Sequence, residues 1–244
     1  MTEVCFSRSI NKIKLDYWAE AEKLDKNKDY LLCQSESGMS EATFEVYIHK
    51  VVIGDALLQV GDKKILKSQY DILKTFAKAN SLSLATVFRG TSTQDGKVVW
   101  LHLEGLNIHH LSSLQDLTAL MGLNLKDTRV DDLSALSKLH SLRKLILRNT
   151  LVGELNPLVN LTGLLELDLT NTKVKDIRAL RKLINLKEIL LSFTEVSDIG
   201  PLLGNTKLVF VNLTKTKVPY SQIALLKGAN PKATVWGAEP GGRP

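Results

Sequence analysis

His102 and Glu104 stand two residues apart in the run VVWLHLEGL, and a second imidazole pair, His109-His110, follows closely. Side chains two apart on a strand point the same way, so an imidazole and a carboxylate share one face. Two ligands do not hold a zinc ion, which takes three or four protein groups. No cysteine or third carboxylate falls at a suitable spacing, so the reading is structural or incidental. Cys5 and Cys33 are the only cysteines, and neither sits in a Cys-His family signature that would mark a nucleophile. The Gly-Asp pairs of GDAL and GDKK lack the glycine spacing of a phosphate loop. Catalytic and metal chemistry are poorly signalled, and the expectation is a chain that is not an enzyme and takes no cofactor. Residues 1–97 are the one stretch with room for an activity of its own.

The totals bound the rest. The 244 residues are 44 % apolar and 24 % charged, ordinary for a soluble globular chain, with only 6 % aromatic. A net charge of +6 favours solubility and weak attraction to anionic surfaces without making a nucleic-acid binder. Two thiols are too few for a disulfide framework, which points to a reducing compartment. The opening MTEVCFSRSINKIKLDYW has no apolar core or cleavage pattern of a Sec signal, and no apolar run spans a bilayer. The expected location is the cytoplasm, or outside it by a non-Sec route. Oligomeric state stays open.

Residues 98–236 position every candidate group. One 22-residue phrase recurs six times there, with its sixth position at Leu103, Leu125, Leu147, Leu169, Leu191 and Leu213. Thr recurs at Thr128, Thr150, Thr172, Thr194 and Thr216, and Val two places later, from Val130 to Val218. A fixed period in the low twenties marks stacked coils. The fourth and sixth positions, Leu167 and Leu169 in the fourth copy, lie on one side of a strand. Parallel pairing of successive copies makes one continuous sheet. The recurring Thr hydroxyls can satisfy turn groups left without partners and could stack as a ladder. The return leg keeps Val174, Ile177, Leu180 and Leu183 inward at spacings of three, suited to 3₁₀ turns. Asp132, Asp176 and Asp198, with Glu154 in the same slot, can cap those turns. The phrase fades at the end: Asn205 replaces the Leu of earlier copies and Ser221 replaces Leu or Ile. A helix ending at Gly228 and a short closing strand follow, then a flexible Gly/Pro-rich tail, 237–244.

Ahead of the repeats, residues 1–30 read as a polar leader with a helix from Leu15 to Leu24. A β-meander is expected over 30–66, from the alternation of Phe44, Val46 and Ile48 and hairpin signals at Gly54-Asp55 and Gly61-Asp62. Ser68 reads as the cap of a helix whose stripe is Ile72, Leu73, Phe76 and Ala77, ended by Asn80. The segment SLSLATVFRGTSTQDGK leads into the first copy through a Gly-rich turn. Residues 1–97 are either a folded cap over the first coil's apolar end or a domain with its own activity.

The 98–236 pattern resembles the leucine-rich repeat family, in its 22-residue bacterial class typified by internalin repeats. The resemblance implies an α/β solenoid, a right-handed superhelix with a parallel sheet on its concave face, preceded here by an N-terminal α+β capping region. One departure is Thr, or Leu106 in the first copy, where the family usually carries Asn. Internalins also carry a signal peptide and wall-attachment elements that are not seen here, so their adhesion role does not transfer.

On the sheet face, the positions flanking the inward pair must point outward. Trp100, Ile146, Leu190, Phe193 and Phe210 are out of place on such a surface, and the last three fall on adjacent copies. Apolar anchors ringed by charge suit a protein partner. The expected partner-binding set is Ile146, Arg148, Glu166, Asp168, Glu188, Leu190, Phe193, Phe210, Asn212, Trp100 and His102. The plain alternatives are that Trp100 tucks under the N-terminal cap and Phe210 under the C-terminal closure. A basic stretch, Lys173, Lys175, Arg178, Arg181, Lys182 and Lys187, reads as a solvated outer face, since nucleic acid would favour interleaved aromatics that it lacks. No nucleic-acid partner is expected. The reading is a non-catalytic protein-binding module; the alternative is an enzyme in 1–97 with the repeats as substrate reader.

Overall fold

A computed structural model of the chain describes residues 2–9, 29–36, 57–61 and 63–237. The helix expected over 15–24, the strand around Phe44 to Ile48, the Gly54-Asp55 signal and most of the 237–244 tail lie outside those residues.

The N-terminus departs from the polar-leader reading. Thr2–Ser9 is a strand, β1, paired antiparallel with β2, Asp29–Glu36. Val4 and Phe6 alternate with polar neighbours, the period of a strand, and the register sets Cys5 opposite Cys33. The Gly61-Asp62 signal yields the expected hairpin of β3, Leu57–Val60, and β4, Lys63–Leu66, with Gly61 at φ +59°. Helix α1, Lys67–Ala79, follows and buries Leu73, Phe76 and Ala77 together with Tyr70, and Asn80 ends it. Ser68 is not its cap, because the helix begins one residue earlier and Leu66 holds the capping position with no side-chain bond. The expected Gly-rich turn contains two further elements. Helix α2, Leu84–Arg89, is capped by Ser83, whose hydroxyl accepts the Thr86 N–H at 3.1 Å. Strand β5, Thr91–Gln94, then pairs antiparallel with β6, Lys97–His102. Asp95 and Gly96 join them at φ +52° and +75°, the paired left-handed residues of a tight hairpin.

From β6 the sheet is parallel. Strands β7 (Gly122–Asn124), β8 (Lys144–Ile146), β9 (Glu166–Asp168), β10 (Glu188–Leu190), β11 (Phe210–Asn212) and β12 (Thr234–Trp236) complete an eight-stranded sheet in chain order. Register is one period per step, with Leu101, Leu123, Leu145, Leu167, Ile189 and Val211 side by side. These residues and the sixth-position leucines are buried, as expected. The opposite wall consists of 3₁₀ turns such as Arg178–Lys182, and Val174, Ile177, Leu180 and Leu183 are buried behind the sheet. Three residues per turn is the period their spacing requires. Asp132, Asp176 and Asp198 each accept a backbone N–H two residues on at 2.8 Å, filling donors that the turn would otherwise leave unpaired.

The Thr hydroxyls do not form a ladder. Each donates to the carbonyl three residues earlier in its own coil, at 2.6 or 2.7 Å. A side chain with one donor spends it on the nearest buried acceptor, and the coils are tied to each other by backbone bonds such as Leu147 N–H to Asp168 carbonyl, 2.8 Å.

Both ends are closed by buried asparagines. The Asn80 amide donates to the carbonyls of Phe76 and His110, while its oxygen accepts the N–H groups of His109 and His110, joining α1 to the first coil. Asn205 is no mere fading of the repeat. Its amide donates to Leu183 and Leu186, its side-chain oxygen accepts the Lys207 N–H, and its carbonyl receives the Asn230 amide. Asn230 caps helix α3, Tyr220–Ala229, which lies over the last coil before β12. One contiguous apolar core runs from Leu58 through Phe76 and Leu167 to Val235.

The sheet face as candidate binding site

Strand alternation sends the third and fifth positions of each coil away from the core. One row reads Trp100, Gly122, Lys144, Glu166, Glu188, Phe210 and Thr234; the next reads His102, Asn124, Ile146, Asp168, Leu190, Asn212 and Trp236. Arg148 is exposed just beyond the second row. Of the positions that follow, Thr170 and Ser192 are buried instead, their hydroxyls 3.1 Å apart.

Three positions past the second row, the backbone turns left-handed in every coil. Gly105, Asp127, Asn149, Asn171, Phe193 and Lys215 have φ between +53° and +72°. Glycine, asparagine and aspartate are the residues that tolerate this conformation. In the middle coils they also bond to each other: the Asn149 amide donates to Asp127 and the Asn171 amide to Asn149 at 2.9 Å. The second row has its own local bond. Asn124, Asp168 and Asn212 each accept the N–H two residues on, at 3.0, 2.8 and 3.0 Å. Ile146 and Leu190 occupy that slot in the third and fifth coils and cannot accept. The fifth coil therefore breaks both local rules: Leu190 sits in the turn-bonding slot and Phe193 in the left-handed slot, with the Phe193 side 58 % exposed.

At the sheet ends the aromatics are partly occupied. Trp100 stacks on His102 with centroids 5.0 Å apart and planes at 12°. Its indole lies flat over Gly122, where any Cβ would come within 2.2 Å of the ring. Trp100 is thus half-buried against its own sheet neighbours. Phe210, also half-buried, meets Trp236 edge-on at 5.0 Å and 84°, which is the closure foreseen for it. Trp236 itself remains 56 % exposed and extends the apolar face by one strand. Sequence reasoning placed it in the closing strand without noticing that alternation turns it outward beside Asn212.

The charges are unevenly spent. Glu104 bonds to Lys126 and to the Asn124 amide, and these bonds hold its carboxyl below the ordinary range while raising Lys126. The Asn149 amide likewise lowers Asp127. Glu166 is ion-paired with Lys144. Glu104 is thus committed to Lys126 and His102 to Trp100, and among the described residues no group of three or more His, Cys, Asp or Glu could hold a metal. On the opposite wall Arg178 pairs with Asp176, and Lys175 and Lys217 share Glu195, whose carboxyl is lowered first by Lys217 and then by Lys175. Lys173, Arg181, Lys182 and Lys187 are exposed there. Between Ile146, Asp168, Leu190, Glu188 and the Lys144–Glu166 pair lies a shallow depression of about 110 Å³. The cap carries a wider, open one of about 520 Å³ between Leu57, Lys63, Lys64, Ser92, Thr93, Asp95 and Gly96, where the Lys63 ammonium donates to the Phe88 carbonyl. No described helix is long and apolar enough to cross a membrane.

No protein-family model matches the chain, and no curated protein resembles it in sequence. Solved structures do resemble it in shape. The leucine-rich-repeat ectodomain of the receptor kinase SOBIR1 from Arabidopsis thaliana is 18 % identical, with a TM-score of 0.54 over 63 % of this chain and 95 % of that one. Two Listeria monocytogenes internalins are also similar. InlF is 20 % identical at TM-score 0.46 over 68 % of this chain, and inlC2 is 19 % identical at 0.45 over 69 %. The chain spans 54 % of the inlF chain and 81 % of the inlC2 chain. The 22-residue register, the parallel sheet backed by 3₁₀ turns and the likeness in shape together make this chain a leucine-rich-repeat solenoid with a hairpin-and-helix cap at its N-terminal end.

Proposed function

We propose that the chain is a non-catalytic binding module that takes a protein partner on the sheet face, with Leu190, Phe193 and Phe210 as anchors and Trp236 beside them. Ile146, Arg148, Glu166, Asp168, Glu188 and Asn212 surround the anchors, and Trp100 with His102 forms the far end. Stacked-repeat solenoids commonly present such extended surfaces to proteins. The observation that carries the reading is the fifth coil. Phe193 keeps a left-handed backbone that costs most residues about 1–2 kcal/mol, and it leaves an aromatic ring in water where the preceding coils place Asp127, Asn149 and Asn171. Strain that the packing of the ring repays only in part points to selection for something else. Large, exposed, rigid side chains beside charge are the composition of interface hot spots. An adaptor, a delivered effector and an antagonist of another protein would all use this surface in the same way.

The test is capture of partners by the wild-type chain and by Phe193→Ala/Phe210→Ala. Loss of one specific protein supports the reading; an unchanged set of captured proteins moves the site to the 3₁₀ wall or the cap.

A further inference from the structure

Resting on that reading, we infer that the partner presents an arginine or lysine side chain to the depression between Ile146 and Leu190, its aliphatic stem held by those two residues and its charged head by Asp168 and Glu188. Ile146, Asp168 and Leu190 are successive neighbours in one row, so the two apolar side chains flank the carboxylate. The depression of about 110 Å³ has room for three or four waters at roughly 30 Å³ each. It is far smaller than the roughly 300–1,000 Å³ of a small-molecule site, and its size suits one long side chain. Long cationic side chains lay their methylenes along apolar surface while the head reaches polar groups, and these walls and this floor supply both.

The charge at Asp168 is surplus to the fold. Asn124 and Asn212 make the same bond to the N–H two residues on without carrying a charge. Asp168 spends only Oδ1 on that bond, and Oδ2 has no partner among the described residues. Glu188 is exposed and makes no ion pair among the described residues, whereas Glu166 is already neutralised by Lys144. Two unpaired carboxylates thus sit at the centre of the sheet face of a chain whose net charge is +6. An anionic partner would be repelled there. A guanidinium or ammonium is attracted, and a planar guanidinium can engage a carboxylate through two parallel bonds.

The probe is a phage-displayed library of random dodecapeptides, selected on the full-length chain, with the best peptide then synthesised and titrated. Enrichment of Arg or Lys flanked by aliphatic residues is expected. Asp168→Asn/Glu188→Gln should weaken the peptide about tenfold or more, and so should citrulline in place of its arginine. Asp168→Asn retains an acceptor for the Thr170 N–H, so the variant keeps its fold. Binding should also weaken as salt rises. Enrichment of acidic or uncharged peptides, equal binding by the double variant or the citrulline peptide, or no enrichment at all overturns the proposal. If a captured protein partner is lost on Phe193→Ala/Phe210→Ala but kept by Asp168→Asn/Glu188→Gln, this proposal fails while the wider binding reading stands.

Discussion

Replacing Phe193 by asparagine should stabilise the chain while deleting its most exposed anchor. The backbone at Phe193 is left-handed, φ +58°, and releasing an aromatic residue from that conformation in favour of one that tolerates it recovers roughly 1–2 kcal/mol. The substitution also continues the Asp127–Asn149–Asn171 column by one coil, and a further exposed amide bond adds about 0.5 kcal/mol. Against this stands the covered part of the ring. The residue is 58 % exposed, so the lost packing is about 1 kcal/mol at roughly 25 cal/mol per Å². The net is a gain near 1 kcal/mol, or about 2–4 °C in Tm for a chain of this size. Urea and thermal unfolding followed by circular dichroism measure it. The reverse swap in the same column, Asn171→Phe, should cost about 1–2 kcal/mol. If Phe193→Asn instead loses more than about 0.5 kcal/mol, the ring's packing outweighs the backbone strain. Phe193 is then a structural residue and the argument from the fifth coil collapses.

Leu169, fully buried at the centre of the array, should cost about 2–5 kcal/mol when cut to alanine, and a loss under about 1 kcal/mol would remove it from the core. Asn80→Ala deletes four side-chain bonds, three of them from α1 to the first coil, and should cost about 2–3 kcal/mol; a chain whose urea midpoint is unchanged would show that cap and coil are not coupled there. Because the apolar core passes unbroken from Phe76 to Leu101, residues 98–244 expressed alone should aggregate, and a soluble, cooperatively unfolding fragment would contradict that coupling. Asp132 is held below the ordinary carboxylate range by the Ser134 N–H and then its hydroxyl, and Asp176 by the Arg178 guanidinium and then its N–H. Both contribute stability that is complete above about pH 4 and is lost as acid titrates them through their lower folded values. Asp132→Asn should flatten the acid limb of a urea midpoint against pH curve, and an unaltered slope would remove Asp132 from it.

The repeats were legible because periodicity reports what is repeated. Leu103 to Leu213 align at 22-residue steps without a slip, the inward leucines and return-leg residues are buried, and the caps at Asp132, Asp176 and Asp198 fall where the spacing put them. What escaped is what occurs once. The β1–β2 pairing joins residues far apart in the chain, and the bonds of Asn205, Asn230 and Asn80 span 19 to 30 positions, so no local pattern announces them. The Asp95-Gly96 hairpin is a different case: the Gly-rich turn is visible in the sequence, but the pairing of the strands on either side of it is not. The Thr hydroxyls chose the nearest carbonyl over a neighbouring coil, a decision set by reach rather than by residue type. The anchors at Leu190, Phe193 and Phe210 were visible as apolar residues on an outward face, but the backbone strain that distinguishes Phe193 appears only in the structure.

The most direct test of the sheet-face account is hydrogen–deuterium exchange of the full chain with and without a captured protein partner. Slowed exchange should fall on the strand ends and following turns of the third to sixth coils, around 144–149, 166–171, 188–193 and 210–215, and should spare the 3₁₀ turns at 156–158, 178–182 and 200–202. Protection of those turns with the sheet side unchanged would contradict the account.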